Sequence, residues 1–114
     1  MNLEIVTEKI EPGYLLKLKG DVDMNTSGNV RGALAEIFKP ASVFSAVLID
    51  LSQVRYMDSS GIATLVEAMQ NSMKRGAKLR LFELSPSVRD VFELARLGSV
   101  FEIYSTRNDA VAGR

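Results

Sequence analysis

From Leu3 to Ile10 the chain alternates, with Leu3, Ile5, Val6 and Ile10 set against Glu4, Thr7 and Glu8. A period of two predicts a half-buried strand. Glu11-Pro12-Gly13-Tyr14 follows, and its Pro12-Gly13 pair suits the two central positions of a type II turn. Leu15-Leu16-Lys17-Leu18-Lys19 reads as a second strand, so the chain opens with a hairpin. Gly20-Asp21-Val22-Asp23-Met24-Asn25-Thr26 carries turn and cap chemistry and leads into a helix over about Ser27 to Phe38. There Val30, Ala33, Leu34, Ile37 and Phe38 keep the helical spacing of one buried face.

Ala46 to Leu51 is a nearly unbroken apolar run, as expected of a central strand covered on both faces. After the loop Tyr56-Met57-Asp58-Ser59-Ser60-Gly61-Ile62, a second helix is predicted over about Ser60 to Arg75. Its Ile62, Leu65, Val66, Met69 and Met73 form one stripe, which reads both methionines as core. Lys74-Arg75-Gly76 supplies cations and a terminal glycine. Lys78 to Leu84 is another strand, and Ser85-Pro86 starts a third helix with a cap and a first-turn proline. That helix runs to about Leu97, with Val88, Val91, Phe92 and Ala95 inward and Gly98 as its stop. Val100 to Tyr104 is a short last strand, and the polar end from Ser105 has room for one helical turn before it frays. The order ββαβαβαβ defines a single α/β domain: a mixed, mostly parallel sheet with an N-terminal hairpin and covering helices. Residues 1–105 are assigned to the domain and 106–114 to a polar C-terminal tail.

Composition narrows the function classes. The 114 residues are 46% apolar and 25% charged, an ordinary globular balance for one domain. Fourteen basic and 14 acidic residues cancel, which argues against nucleic acid as a partner. Lys74, Arg75, Lys78 and Arg80 cluster at a turn and read as a solvated helix end; Arg89 and Arg96, seven apart, share a water-facing side. There is no cysteine and no histidine, so disulfides, the usual zinc sites and catalysis by a histidine base are excluded. The first ten residues lack the pattern of a signal peptide, and no apolar stretch approaches the ~20 residues of a membrane span. The expectation is a cytoplasmic protein with no direct membrane insertion and no cofactor.

The Asp58-Ser59-Ser60-Gly61 loop admits several chemistries. Either serine could cap the following helix, a contribution of about 1 kcal/mol. A nucleophile is disfavoured, because Met57 stands where a hydrolase elbow needs glycine and no histidine exists to take the proton. No phosphate-binding G-x-x-x-x-G-K-[ST] loop occurs, and Asp21, Asp23 and Asp58 make only a weak oxygen-ligand set, so no metal is expected. A phosphoacceptor serine remains open. At a helix start the dipole tolerates the added charge, while Asp58 beside it builds an anionic patch that repels a docked partner.

Three segments carry a family resemblance: Leu18-Lys19-Gly20-Asp21-Val22-Asp23, Val47 to Val54, and Met57-Asp58-Ser59-Ser60-Gly61-Ile62. In order and spacing they resemble the STAS domain, and most closely its bacterial anti-sigma factor antagonists, over about Leu3 to Tyr104. The resemblance implies a non-enzymatic switch. The unphosphorylated antagonist binds an anti-sigma factor, a serine kinase of the histidine-kinase-like ATPase fold, and the sigma factor is released. The kinase phosphorylates the hydroxyl residue after the motif aspartate, and a metal-dependent serine phosphatase resets it. Carried onto this chain, the acceptor is Ser59, with Ser60 as second candidate. The partner surface would comprise Asp21, Asp23, Met24, Asn25, Met57, Asp58, Ser59, Ser60 and Gly61, the glycine admitting a partner's backbone. Ala63 departs from the glycine common in the family at that position and bears on partner choice. A second STAS branch docks on the ATPase of lipid-transport ABC systems without phosphorylation, and is the alternative reading.

Overall fold

A computed structural model describes residues 2–114. Strands β1 (Leu3–Ile10) and β2 (Gly13–Val22) pair antiparallel, and β3 (Ala46–Met57), β4 (Lys78–Phe82) and β5 (Glu102–Tyr104) continue the sheet in parallel. The strand order is β1-β2-β3-β4-β5. Helices α1 (Ser27–Ile37), α2 (Ser59–Lys74) and α3 (Pro86–Leu94) are the connections, and α4 (Arg107–Ala112) follows the last strand. This is the expected mixed sheet with its N-terminal hairpin.

Alternation along the strands builds two cores. Leu16, Leu18, Val47, Ile49, Leu51, Leu79 and Leu81 join Val30, Leu34, Leu65, Ala68, Val88 and Phe92 of the first three helices. From the opposite face Leu15, Ala46, Leu48 and Phe82 meet Ala110 of α4. The apolar run of β3 is thus covered on both sides, as its composition requires. Residues 107–112 are more ordered than one turn and a fraying end: Thr106 caps α4 by accepting from the Asp109 amide at 3.1 Å, and Ala110 is fully buried.

Several local expectations are corrected. Ile10 pairs with Gly13, so the hairpin turn is Glu11-Pro12, joined by a cis peptide bond, and Gly13 already belongs to β2. A Cβ at Gly13 would lie 2.1 Å from the Ala46 carbonyl oxygen, so close strand approach, not turn geometry, demands glycine there. Met73 is 70% exposed, because the buried face of α2 runs instead through Gly61, Thr64, Leu65, Ala68 and Ser72. β4 stops at Phe82, where Glu83 turns to a φ of 53°.

Helix α3 ends before Gly98 and leaves Ala95 exposed. Arg96 takes the left-handed position at a φ of 57°, while its amide bonds the Glu93 carbonyl and that of Leu97 bonds Phe92. That is a Schellman ending with arginine where glycine is usual. Nor are all four cations near residue 75 solvated. Arg75 lies over the Phe44 ring at 4.6 Å and donates to the Ser42 carbonyl at 2.8 Å; Arg80 donates to the Ala110 carbonyl at 3.1 Å.

Candidate functional site

Because β2 and β3 run parallel, their carboxyl ends emerge side by side, with Asp21 opposite Tyr56 and Val22 opposite Met57. The Asp58 amide donates to the Val22 carbonyl at 3.2 Å, joining the two loops. Open α/β sheets place their sites at this edge. The segment 20–26 and the start of α2 therefore form one surface.

The first loop is held by its own polar groups. The Asp23 carboxylate accepts from the amides of Asn25 at 2.9 Å and Thr26 at 3.1 Å. The Thr26 hydroxyl donates to the Asp21 carbonyl at 2.8 Å and accepts from the Asp23 amide at 2.9 Å. Asp21 is itself paired with Arg55 at 3.3 Å. With Asp23 tied to local amides and Asp21 to a guanidinium, these carboxylates fix the loop's shape. Met24 is lifted to 81% exposure at its tip, with Asn25 exposed beside it.

In the second loop the cap is Asp58 and not a serine. Its Oδ1 accepts from the Ser60 amide at 2.9 Å and the Gly61 amide at 3.3 Å. The Ser60 hydroxyl also donates to that oxygen, at 2.5 Å. An ionised carboxylate satisfies more free helix-start amides than a hydroxyl does and meets the positive end of the dipole. Ser59 and Ser60 become the first two helical residues, and they differ. Ser60 is half-buried and its hydroxyl is committed to Asp58; Ser59 is exposed, and its hydroxyl has no hydrogen-bond partner among the described residues.

The Ser60 hydroxyl, opposed by partial desolvation and helped by the amides of Ser60, Gly61 and Met24, holds the Asp58 carboxyl below its usual range. A depressed carboxylate stabilises the fold above the unfolded pKa and loses that contribution as pH falls through the folded value. Asp58→Ala is accordingly expected to cost about 1 kcal/mol at neutral pH. The gap to wild type should narrow as pH falls below the ordinary carboxylate value of 3.8, which urea titrations over a pH series would measure.

Met57 is 2% exposed and Gly61 is buried, so both lie beneath the surface. A Cβ at Gly61 would sit 2.7 Å from Met57 Cγ and 2.9 Å from Val22 Cγ1, so this glycine answers to packing inside the chain. The exposed ridge is Met24, Asn25, Tyr56, Ser59 and Ala63, with Asp58 and Ser60 half-buried behind Ser59. Two contributors escaped the sequence reading: Thr26, which ties the first loop together, and Arg55, the partner of Asp21. The D-x-x-T spacing of Asp23 and Thr26 was the legible signal for the first.

The carboxyl edge of the parallel strands thus carries, at the start of α2, an exposed hydroxyl with no hydrogen-bond partner among the described residues. The family model described as the STAS domain matches residues 4–110, and the chain belongs to that family. It is 29% identical over 110 residues to the anti-sigma-B factor antagonist of Listeria monocytogenes, a match covering 96% of this chain and 95% of that protein. Its fold is similar to the crystal structure of an anti-sigma factor antagonist from Mycobacterium paratuberculosis, with a TM-score of 0.86, 23% identity, and 97% and 92% of the two chains covered. It is also similar to the Bacillus cell-fate determinant SpoIIAA in its phosphorylated form, with a TM-score of 0.74, 20% identity, and 96% and 98% covered.

Proposed function

We propose that this chain is an anti-sigma factor antagonist whose partner binding is switched off by phosphorylation of Ser59. The observation that carries the choice of serine is the contrast at the start of α2. Ser59 offers an exposed hydroxyl with no hydrogen bond among the described residues, whereas phosphorylating Ser60 would first break its 2.5 Å bond to Asp58. The similarity to a named antagonist over almost the full chain supports the role.

The switch works by local electrostatics. Asp58 already occupies the amides of Ser60 and Gly61, so a phosphoryl group on Ser59 adds ~1.5 to 2 negative charges beside an existing carboxylate. Helix α2 tolerates this at its positive end and need not melt. A partner resting on Met24, Asn25 and Ser59 would face that charge at close range. The partner is an anti-sigma factor that is also the serine kinase, with the ATPase fold and the ATP on its side; a metal-dependent serine phosphatase restores the hydroxyl. The chain is thus a kinase substrate, acting in the cytoplasm, and the Asp21-Asp23 loop contributes recognition through the shape it gives Met24.

Fragment mass spectrometry of the chain isolated from its own cells would locate the phosphate. It is expected on Ser59, to vanish in Ser59→Ala and to persist in Ser60→Ala. Phosphate mapped to Ser60 would overturn the assignment.

A further inference from the structure

At the far side of α3 a cavity of about 410 Å³ opens between this helix, the connection after it and the last strand. Leu84, Phe92 and Ile103 give it an apolar floor, and Arg89, Glu93 and Arg96 stand around it. Phe92 and Leu84 are nearly fully buried, so the floor is part of the main core and is already formed.

Five arginines of the chain hold a partner. Arg31 pairs with Glu67, Arg55 with Asp21 and Arg107 with Glu8; Arg75 and Arg80 hold carbonyl oxygens. The guanidiniums of Arg89 and Arg96 have no ion pair or hydrogen bond among the described residues, and both line this one cavity. Glu93 is the single acid among its walls and leaves them with a net positive charge. Arg96 is kept at a left-handed φ of 57°, a position that glycine would fill at lower cost. The cavity's volume falls in the range of small-ligand pockets, and its walls combine an apolar floor with charged side chains.

We propose that this cavity binds a small amphipathic carboxylate, its hydrocarbon body on Leu84, Phe92 and Ile103 and its carboxylate between Arg89 and Arg96. Guanidinium forks match carboxylates bidentately, and both arginines are exposed and so open to a ligand. None of the residues lining this cavity belongs to the Ser59 surface.

Titrating the full chain with octanoate, and in parallel with octylammonium and acetate, followed by amide NMR shifts, tests both halves of the proposal. Octanoate should saturate and move the amides around Phe92, Arg96 and Ile103. Octylammonium, with the wrong charge, should bind at least about tenfold more weakly, the scale of one charge-assisted contact, and acetate should do so because it forfeits the burial of its missing methylenes. Arg96→Gly removes a guanidinium while suiting the left-handed backbone, so it should fold and still lose about tenfold in octanoate affinity; Arg89→Ala should act similarly. Equal shifts from octanoate and octylammonium, octanoate shifts centred elsewhere or absent, or unchanged affinity in a folded Arg96→Gly would each overturn the proposal.

Discussion

Phe82→Ala is expected to lower the free energy of unfolding by about 3–5 kcal/mol, the cost of truncating a buried aromatic residue. Phe82 is 1% exposed and sits on the sheet face away from α1, α2 and α3. There it packs with Leu15, Ala46, Leu48 and Ala110, the smaller of the two cores. A small core has few other side chains to collapse into the space. Helix α4, only six residues long, is held by this packing, the Arg80 contacts, the Thr106 cap and an exposed Arg107–Glu8 pair. Urea unfolding should therefore show the full loss, and amide exchange in residues 107–112 should rise beyond the global change. A loss under about 1 kcal/mol would mean that the second face contributes little and that α4 docks by other means.

The second large effect is expected at Gly13. An added Cβ would meet the Ala46 carbonyl oxygen at 2.1 Å and Phe44 Cβ at 2.9 Å. The first of these atoms is backbone in the central strand, so no rotamer change can make room. Gly13→Ala must push β2 from β3 where Gly13 pairs with Ala46, and a loss of about 3 kcal/mol, the upper end of overpacking costs, is predicted. Gly28→Ala, where nothing lies within 4 Å of the added atom, is the matched control and should not destabilise by steric conflict. Equal losses in the two variants would contradict the strand-contact explanation, and thermal or urea unfolding decides it.

How far the sequence reaches can be judged from these same residues. Periodicity located every strand and the first three helices, because buried faces impose their spacing directly on the residues. The Pro12-Gly13 pair misled by one residue: two turn formers in succession do not say which of them a neighbouring strand needs, and Gly13's neighbour is β3, distant in sequence. Met73 fitted the apolar stripe, yet the face that α2 buries runs through Gly61, Thr64, Leu65, Ala68 and Ser72, and small and polar residues on a buried face do not register as apolar spacing. Helix α4 was understated since six polar-rich residues have one buried alanine to announce them.

At the site, the residues were legible and their roles less so. The two loops converge as the parallel connection implied. Asp58 took the capping role given to a serine, because hydrogen-bond competition between a carboxylate and a neighbouring hydroxyl is settled by three-dimensional reach. Gly61 and Met57 were placed on the surface by their motif position, and the structure puts them under it, packed on Val22. Neither could be told from spacing alone.

Ser59 is proposed to act as a charge-operated switch at a protein surface. Affinity capture from a lysate of the native host, with wild type and Ser59→Asp side by side and read by mass spectrometry, addresses this most directly. A kinase-fold ATPase should be retained by wild type and reduced at least tenfold by the aspartate form, roughly the weight of one added like charge. The melting temperatures of the two proteins should agree to within a few degrees, because the substitution lies at an exposed helix start. Recovery of the same partner in equal amount with both forms, or of ABC transporter subunits indifferent to the substitution, would contradict the switch.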